Sequence, residues 1–267
     1  NLVSETERRI KIMIKSKLKK LINFFGYDIC KINKEIGNQN FNEILKKKIS
    51  NNPTIFDVGA NQGQSIERFS KLFNNPIIHS FEPISFEFNN LSNKYGENKN
   101  TFLNNIALGE KQEIKEFNIT AATSTSSFNK INMGTEWLKT RSKQYNTSEA
   151  SYVTKVEKVK IDTLDNYFIK NNLDKIDLLK IDTEGYEDKV LEGSLETIKK
   201  NRIGMILTEI IFSNVYDKYF SFSDLEKFLI PYNFRMVGIN LINNSLYSGL
   251  AFFADVMYVN KKHHKIK

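Results

Sequence analysis

One cysteine, one tryptophan and three histidines in 267 residues leave little material for several kinds of chemistry. A lone Cys30 makes no internal disulfide and no multi-cysteine zinc site, and with no catalytic partner beside it in sequence it reads as a small core residue. The histidines are badly placed for proton transfer: His263 and His264 sit in a basic tail, and His79 falls inside an apolar strand. No apolar run approaches the ~20 residues of a membrane-spanning helix and no secretory hydrophobic region stands at the start, so a cytoplasmic location is the expectation.

What is present describes an ordinary globular chain, 40 % hydrophobic and 12 % aromatic, with a net charge of +8. That charge is not spread over the fold. Residues 1–48 hold twelve Lys/Arg against five Asp/Glu, a surplus of +7, and Lys261 to Lys267 adds four lysines, which leaves −3 for residues 49–260. Nucleic-acid enzymes carry a basic track along the face that meets phosphate, so none is expected here.

The chain divides on this reading into a basic helical extension over 1–50, an α/β domain over 51–260 with an insertion at 120–151, and a basic tail at 261–267. A helix is expected from Glu5 to Phe25, with Ile10, Ile14, Leu18, Leu21, Ile22 and Phe25 on one stripe. The stripe packs on the domain or on a second copy as a homodimer contact; the other reading lays it on an anionic membrane surface as a peripheral contact. Phe41 to Lys48 forms a second short helix. From Pro53, strands and helices alternate: strand Thr54–Val58, helix Gln64–Phe73, strand Ile77–Phe81, helix Phe86–Lys94 and strand Thr101–Leu108. A second half runs through strand Val159–Ile161, helix Thr163–Asn171, strand Ile176–Ile181, helix Glu187–Lys199 and strand Ile203–Ile210. It closes with a helix at Ser223–Leu229 and strands Arg235–Ile242 and Ala251–Val259, an antiparallel hairpin at one sheet edge. The pattern predicts a Rossmann-like, doubly wound sheet. Between the halves, Thr120 to Ser151 is rich in Thr, Ser and Asn and holds Trp137. Strand candidates Glu113–Ile119 and Tyr152–Lys160 flank it, and it reads equally as a solvated excursion or a lid.

Three motifs carry chemistry. In IFDVGANQG, Ile55 to Gly63, an apolar strand ends on Asp57 and runs into Gly59 and Gly63. Glycine there lets the backbone approach a ligand, and open α/β sheets bind ligands at the carboxyl ends of their strands. The dinucleotide pattern G-x-G-x-x-G is absent. A pyrophosphate suits a helix N-terminus, whereas an acid inside the turn suits S-adenosylmethionine (SAM), which has a sulfonium and no phosphate. Glu82, in HSFEP nineteen residues past Gly63, is placed to accept two ribose hydroxyls. In LLKIDTEGYE a buried strand ends at Asp182, with Glu184 in the turn and Glu187 opening the next helix. Crowded carboxylates there raise one another's pKa towards the range of a general base.

With "IFDVGANQGQ", "HSFEP", "NNIALG" at Asn104 to Gly109, "VKIDTLDNY" and "LLKIDTEGYEDKVLEG", the chain resembles the FkbM family of SAM-dependent methyltransferases over about Asn51 to Ile211. The resemblance implies a class I methyltransferase fold with a seven-stranded sheet, SAM as donor, and O-methylation of a sugar, glycan or natural-product hydroxyl. It implies that Asp57, Gly59, Asn61 and Gly63 form the donor loop, Glu82 binds the ribose, and Asn105 with Ala107 forms the adenine edge. Asp182 would approach the methionine part or the acceptor. The insertion and the basic extension lie outside the shared pattern, so the acceptor is not carried over.

With histidine set aside, the base is expected to be a carboxylate: Glu184 first, Glu209 second. Asp182 with Glu209 could instead hold a magnesium ion that acidifies the acceptor hydroxyl; with no further ligand visible in sequence, no metal is expected. Exocyclic base nitrogens are usually methylated beside an Asn/Asp-Pro-Pro-aromatic turn, and this chain has Asp182-Thr-Glu-Gly-Tyr186 in that place. A nucleic-acid or protein methyltransferase is the second reading, and a non-catalytic scaffold of the same fold the third.

Overall fold

The computed structural model describes residues 40–242 and 252–263. The expected helix Glu5–Phe25 and most of the basic tail lie outside the described residues, as does the connection between the last two strands. Among the described residues, no helix is long and apolar enough to cross a membrane.

Helix α1 (Phe41–Lys48) is capped by the Asn40 side chain, which accepts the Asn42 N–H at 3.0 Å, and buries Phe41 and Leu45. Strand β1 (Thr54–Val58) then enters the sheet, followed by α2 (Gln64–Leu72), β2 (Ile77–Phe81), α3 (Ser85–Tyr95) and β3 (Thr101–Asn104). Two further strands, β4 (Ala107–Leu108) and β5 (Glu113–Thr120), precede α4 (Glu136–Gln144) and β6 (Val153–Asp162). The chain continues through α5 (Leu164–Lys170), β7 (Ile176–Ile181), α6 (Glu187–Glu192), α7 (Leu195–Lys199), β8 (Ile203–Ile211), α8 (Phe222–Leu229), β9 (Phe234–Ile242) and β10 (Phe253–Asn260).

The main sheet has seven strands in the order β3-β2-β1-β7-β8-β10-β9. The first five are parallel, and β10 runs antiparallel between β8 and β9. This is the expected doubly wound, Rossmann-like sheet, seven-stranded and with the antiparallel hairpin at its edge. Both faces are apolar, as a sheet covered by helices on two sides requires: Phe56, Val58, Leu179 and Ile181 belong to one core, Ile55, Leu178, Met205 and Leu207 to the other. From β1 the chain moves outward to β2, and β7 arrives on the opposite side. The carboxyl ends of β1 and β7 therefore flank a topological switch point, where such sheets open a crevice.

Three expectations need correction. The strand expected over Thr101–Leu108 breaks at Asn105. Its first part pairs with β2, and Ala107–Leu108 pairs instead with β6 in a separate three-stranded sheet, β4-β6-β5. The strand expected at Val159–Ile161 is the end of this long β6, not part of the main sheet. Its half-exposed, alternating burial suits a two-sided antiparallel arm and not a central parallel strand. The helix expected over Glu187–Lys199 breaks at Gly193, where a Cβ would lie 1.9 Å from the Gly109 carbonyl oxygen.

The segment 120–151 is folded over the carboxyl edge of the sheet. A short 3₁₀ turn at Thr123–Thr125 is followed by α4, capped by the Thr135 hydroxyl. Trp137, Leu138 and Tyr152 are buried with Val215 and Tyr216 from the loop after β8.

Candidate active site

The turn after β1 is built on positive φ angles at Gly59 (82°), Asn61 (45°) and Gly63 (83°). A Cβ on Gly59 would lie 1.9 Å from the Asp182 carbonyl oxygen, and one on Gly63 would lie 2.6 Å from the Tyr95 ring. Both glycines therefore serve contacts within the protein: the first lets β1 and β7 close together at the switch point, the second seats α2 on α3. The turn's amides are used as well. Gly59 and Ala60 donate to the Phe81 carbonyl at 3.1 Å each, and Asn61 donates to Glu82 Oε2 at 2.8 Å.

Glu82 is 4 % exposed, and its other oxygen accepts the Ile84 N–H at 2.8 Å. Each carboxylate oxygen can accept about two hydrogen bonds, so each keeps a lone pair after its backbone donor is counted. Burial pushes the Glu82 carboxyl up to about 7, against the pull of the two amides.

Asp57 is fully buried beneath the turn, outside the cavity wall. Its register neighbour on β7 is Lys180, whose ammonium lies 3.1 Å from Asp57 Oδ1, 3.4 Å from Asp182 Oδ2 and 3.0 Å from the Gly59 carbonyl. Burial alone would lower the lysine's pKa, but the charges of Asp57 and Asp182 outweigh it and hold the ammonium above its ordinary value. Asp57 thus acts through Lys180, which the sequence reading passed over although it stands inside the third motif. Breaking a buried pair from one side leaves an uncompensated charge and costs about 3–5 kcal/mol. Asp57→Ala is accordingly expected to lower the melting temperature sharply, measured by thermal denaturation; an unchanged melting temperature would show the pair to be dispensable.

The cavity of about 240 Å³ runs from Glu82 past Lys180 to Glu184 and Glu209. Val58, Gly59 and Asn61 form one wall with Gln64 and Ser65 of α2. Pro83, Ile84, Ala107, Leu108 and Phe117 form an apolar end, closed by Phe128, whose ring lies 4.8 Å from Phe117 and 4.5 Å from Tyr186. Thr123, Ser124 and Ser126 of the covering segment line the roof, and Thr123 is tied to α3 by a 2.6 Å hydrogen bond to Glu87. Asn105 stands outside the cavity wall; its amide donates to the Glu82 and Pro83 carbonyls at 2.9 and 3.2 Å and so braces the turn that carries Glu82.

At the other end, Asp182, Glu184 and Glu209 each bring a carboxylate oxygen within 4.8 Å of the others. The sequence paired only Asp182 with Glu209; Glu184 makes the set three. Glu184 adopts φ 56°, a left-handed conformation unusual for a residue with a side chain. Its carbonyl accepts the Ser127 hydroxyl at 2.7 Å and its Oε2 the Tyr216 hydroxyl at 2.8 Å. Burial, then the neighbouring Asp182 charge, push the Glu184 carboxyl up to about 8. Burial and the charges of Glu184 and Asp182 also hold Glu209 well above the usual carboxylate range. Glu187, at the start of α6, folds back so that Oε1 accepts the Thr183 and Gly185 amides at 2.9 and 3.2 Å and braces the turn that carries Glu184.

The family model described as "Methyltransferase FkbM domain" matches residues 57–236. Three solved structures, all of low similarity, are a SAM dependent methyltransferase from Aquifex aeolicus (12 % identity, 92 % of this chain and 97 % of that one, TM-score 0.44), a putative rRNA-methylase from Clostridium thermocellum (10 %, 86 % and 99 %, TM-score 0.43) and M. capricolum TrmK in complex with S-adenosyl-homocysteine (SAH) (12 %, 86 % and 72 %, TM-score 0.42). No curated relative matches the chain.

Proposed function

This chain belongs to the FkbM methyltransferase family and is a SAM-dependent methyltransferase, and from that premise we propose that it methylates a hydroxyl of a sugar, glycan or natural-product acceptor. The observation that carries the proposal is the charge of the cavity wall. Its charged lining residues are Glu82, Asp182, Glu184, Glu209 and Lys180, and the single cation among them is already engaged by Asp57 and Asp182. A phosphodiester acceptor would find no free cation there. A neutral, hydroxyl-rich one would meet hydrogen-bond acceptors.

SAM supplies an electrophilic methyl carbon bound to a positively charged sulfur. In our reading Glu82 accepts the ribose hydroxyls on its two remaining lone pairs, with Asn61, Gly59 and Gly63 shaping the turn that presents it. Ala107 packs on the adenine edge, Asn105 supports that edge from behind, and Lys180, set by Asp57, holds Asp182 towards the methionine part. Glu184 takes the proton of the acceptor hydroxyl, and Glu209 is the alternative base.

A methyl-transfer screen with labelled SAM, mono- and oligosaccharides in one arm and total RNA in the other, tests the acceptor class. Label in a saccharide supports it; label in RNA alone overturns it. Proton transfer to a carboxylate needs no metal, so EDTA is expected to leave turnover unchanged in that assay. Loss of activity that magnesium restores would reassign the three carboxylates from proton transfer to cation binding.

A further inference from the structure

We propose that Tyr216 is a positioning residue for the methyl-accepting site, holding the Glu184 carboxyl at the acceptor edge in both of its protonation states. The inference rests on the reading of Glu184 as the base.

Tyr216 lies in the loop after β8, 1 % exposed, in the buried cluster with Trp137 and Tyr152. Its ring reaches the Glu184–Gly185 turn because Gly185 has no side chain: a Cβ there would lie 3.1 Å from Tyr216 Cδ2. Its backbone is fixed by a bridge to Ile131 and by the Asn132 amide, which donates to its carbonyl at 2.8 Å. The hydroxyl therefore has little freedom. It lies 2.8 Å from Glu184 Oε2 and 3.1 Å from the Thr125 carbonyl oxygen.

A tyrosine hydroxyl has one proton, and a carbonyl oxygen can only accept. When Glu184 is ionised, Tyr216 donates to it. When Glu184 is protonated on Oε2, the acid donates to the Tyr216 oxygen, and the phenolic proton turns to Thr125. Both states are satisfied without movement of heavy atoms, so the proton taken from an acceptor hydroxyl is accommodated by rotation of one O–H bond. Thr125 belongs to the turn whose neighbours Ser124 and Ser126 roof the cavity, so the same hydroxyl ties the base to the cover.

The consequence is a shift in the titration of Glu184. A hydrogen bond to a carboxylate is about twice as strong as a neutral one, so removing the hydroxyl penalises the ionised form more than the acid. Tyr216→Phe, which keeps the packing, is expected to raise the Glu184 midpoint by about one pH unit. The measurement is a carbon NMR titration of the full chain labelled at the glutamate carboxyls and saturated with SAH, the Glu184 signal being identified by its loss in Glu184→Gln. Coincident midpoints in the wild type and Tyr216→Phe would overturn the proposal. Should that variant fail to fold, a fluorotyrosine placed at position 216 is a stronger donor of almost the same size and is expected to lower the midpoint; no shift there overturns it equally. Failure of the underlying reading is distinct: Glu184→Gln with full turnover would remove the base while leaving the titration shift in place.

Discussion

Glu184→Gln is expected to lower turnover by about 10²–10⁴-fold, the usual loss when a positioned general base is removed, while SAH affinity stays within a few-fold of wild type. Glutamine fills the same space and keeps an oxygen for the Tyr216 hydroxyl, 2.8 Å from Glu184 Oε2, so the cover should remain in place. What disappears is the group that takes the acceptor proton. The pH profile gives the same residue a second signature. Burial and the Asp182 charge push the carboxyl up to about 8, and a base works in its deprotonated form, so wild-type turnover should rise as pH increases through that region and the rise should be missing in the variant. A full-rate variant that keeps the rise would transfer the role to Glu209.

Glu82→Ala should act on the other half of the site. The two ribose hydroxyls assigned to Glu82 are hydrogen bonds to a charged group, each contributing about 1.5–3 kcal/mol, so their joint loss predicts a Kd for SAH weaker by at least roughly a hundredfold. Alanine also deprives the Asn61 and Ile84 amides, each 2.8 Å from a Glu82 oxygen, of their acceptor. The thermal stability of the variant must therefore be measured beside its calorimetric affinity. Glu82→Gln keeps one acceptor oxygen and should fall between the two. Unchanged affinity in Glu82→Ala would remove the ribose from this end of the cavity.

The turn after β1 and the place of Glu82 were legible because their signals are local. An apolar strand, a glycine turn and a helix follow one another within Ile55–Leu72, and Glu82 closes the next strand. What these residues touch was not legible. Asp57 looked like a ligand contact because nothing in its own segment shows Lys180, which reaches it across a parallel pairing of strands 123 residues apart. Gly59 lines the cavity, and its absent Cβ also makes room for the Asp182 carbonyl, a contact its own segment does not show.

The covering segment was obscured for a different reason. Its Thr and Ser content reads equally as a solvated excursion or a lid and gives no hint of a core, yet Thr120, Thr125 and Tyr152 are buried and satisfy one another, with Thr120 Oγ1 2.8 Å from Thr125 Oγ1 and Thr125 Oγ1 3.0 Å from the Tyr152 hydroxyl. Buried hydroxyls that pair internally cost little, so a polar segment can fold as part of the core. The two long strands of the three-stranded arm, Glu113–Ile119 and Tyr152–Lys160, were legible, but not that they pair with each other across the covering segment or that Val159–Ile161 ends the second of them and lies outside the larger sheet. Tyr216 carried no signal of its own; its hydroxyl acquires meaning only beside Glu184, 32 residues earlier in the chain.

In our reading the acidic acceptor edge beside the donor pocket serves transfer of a methyl group to a hydroxyl oxygen. Its most direct test is the carbon NMR spectrum of the product formed from SAM labelled at the methyl carbon with the saccharide that the screen returns. A methoxy signal is expected from the wild type and is expected to be absent when Glu184→Gln replaces it. A labelled N-methyl or C-methyl signal, or a methoxy signal of equal intensity from the variant, would contradict it.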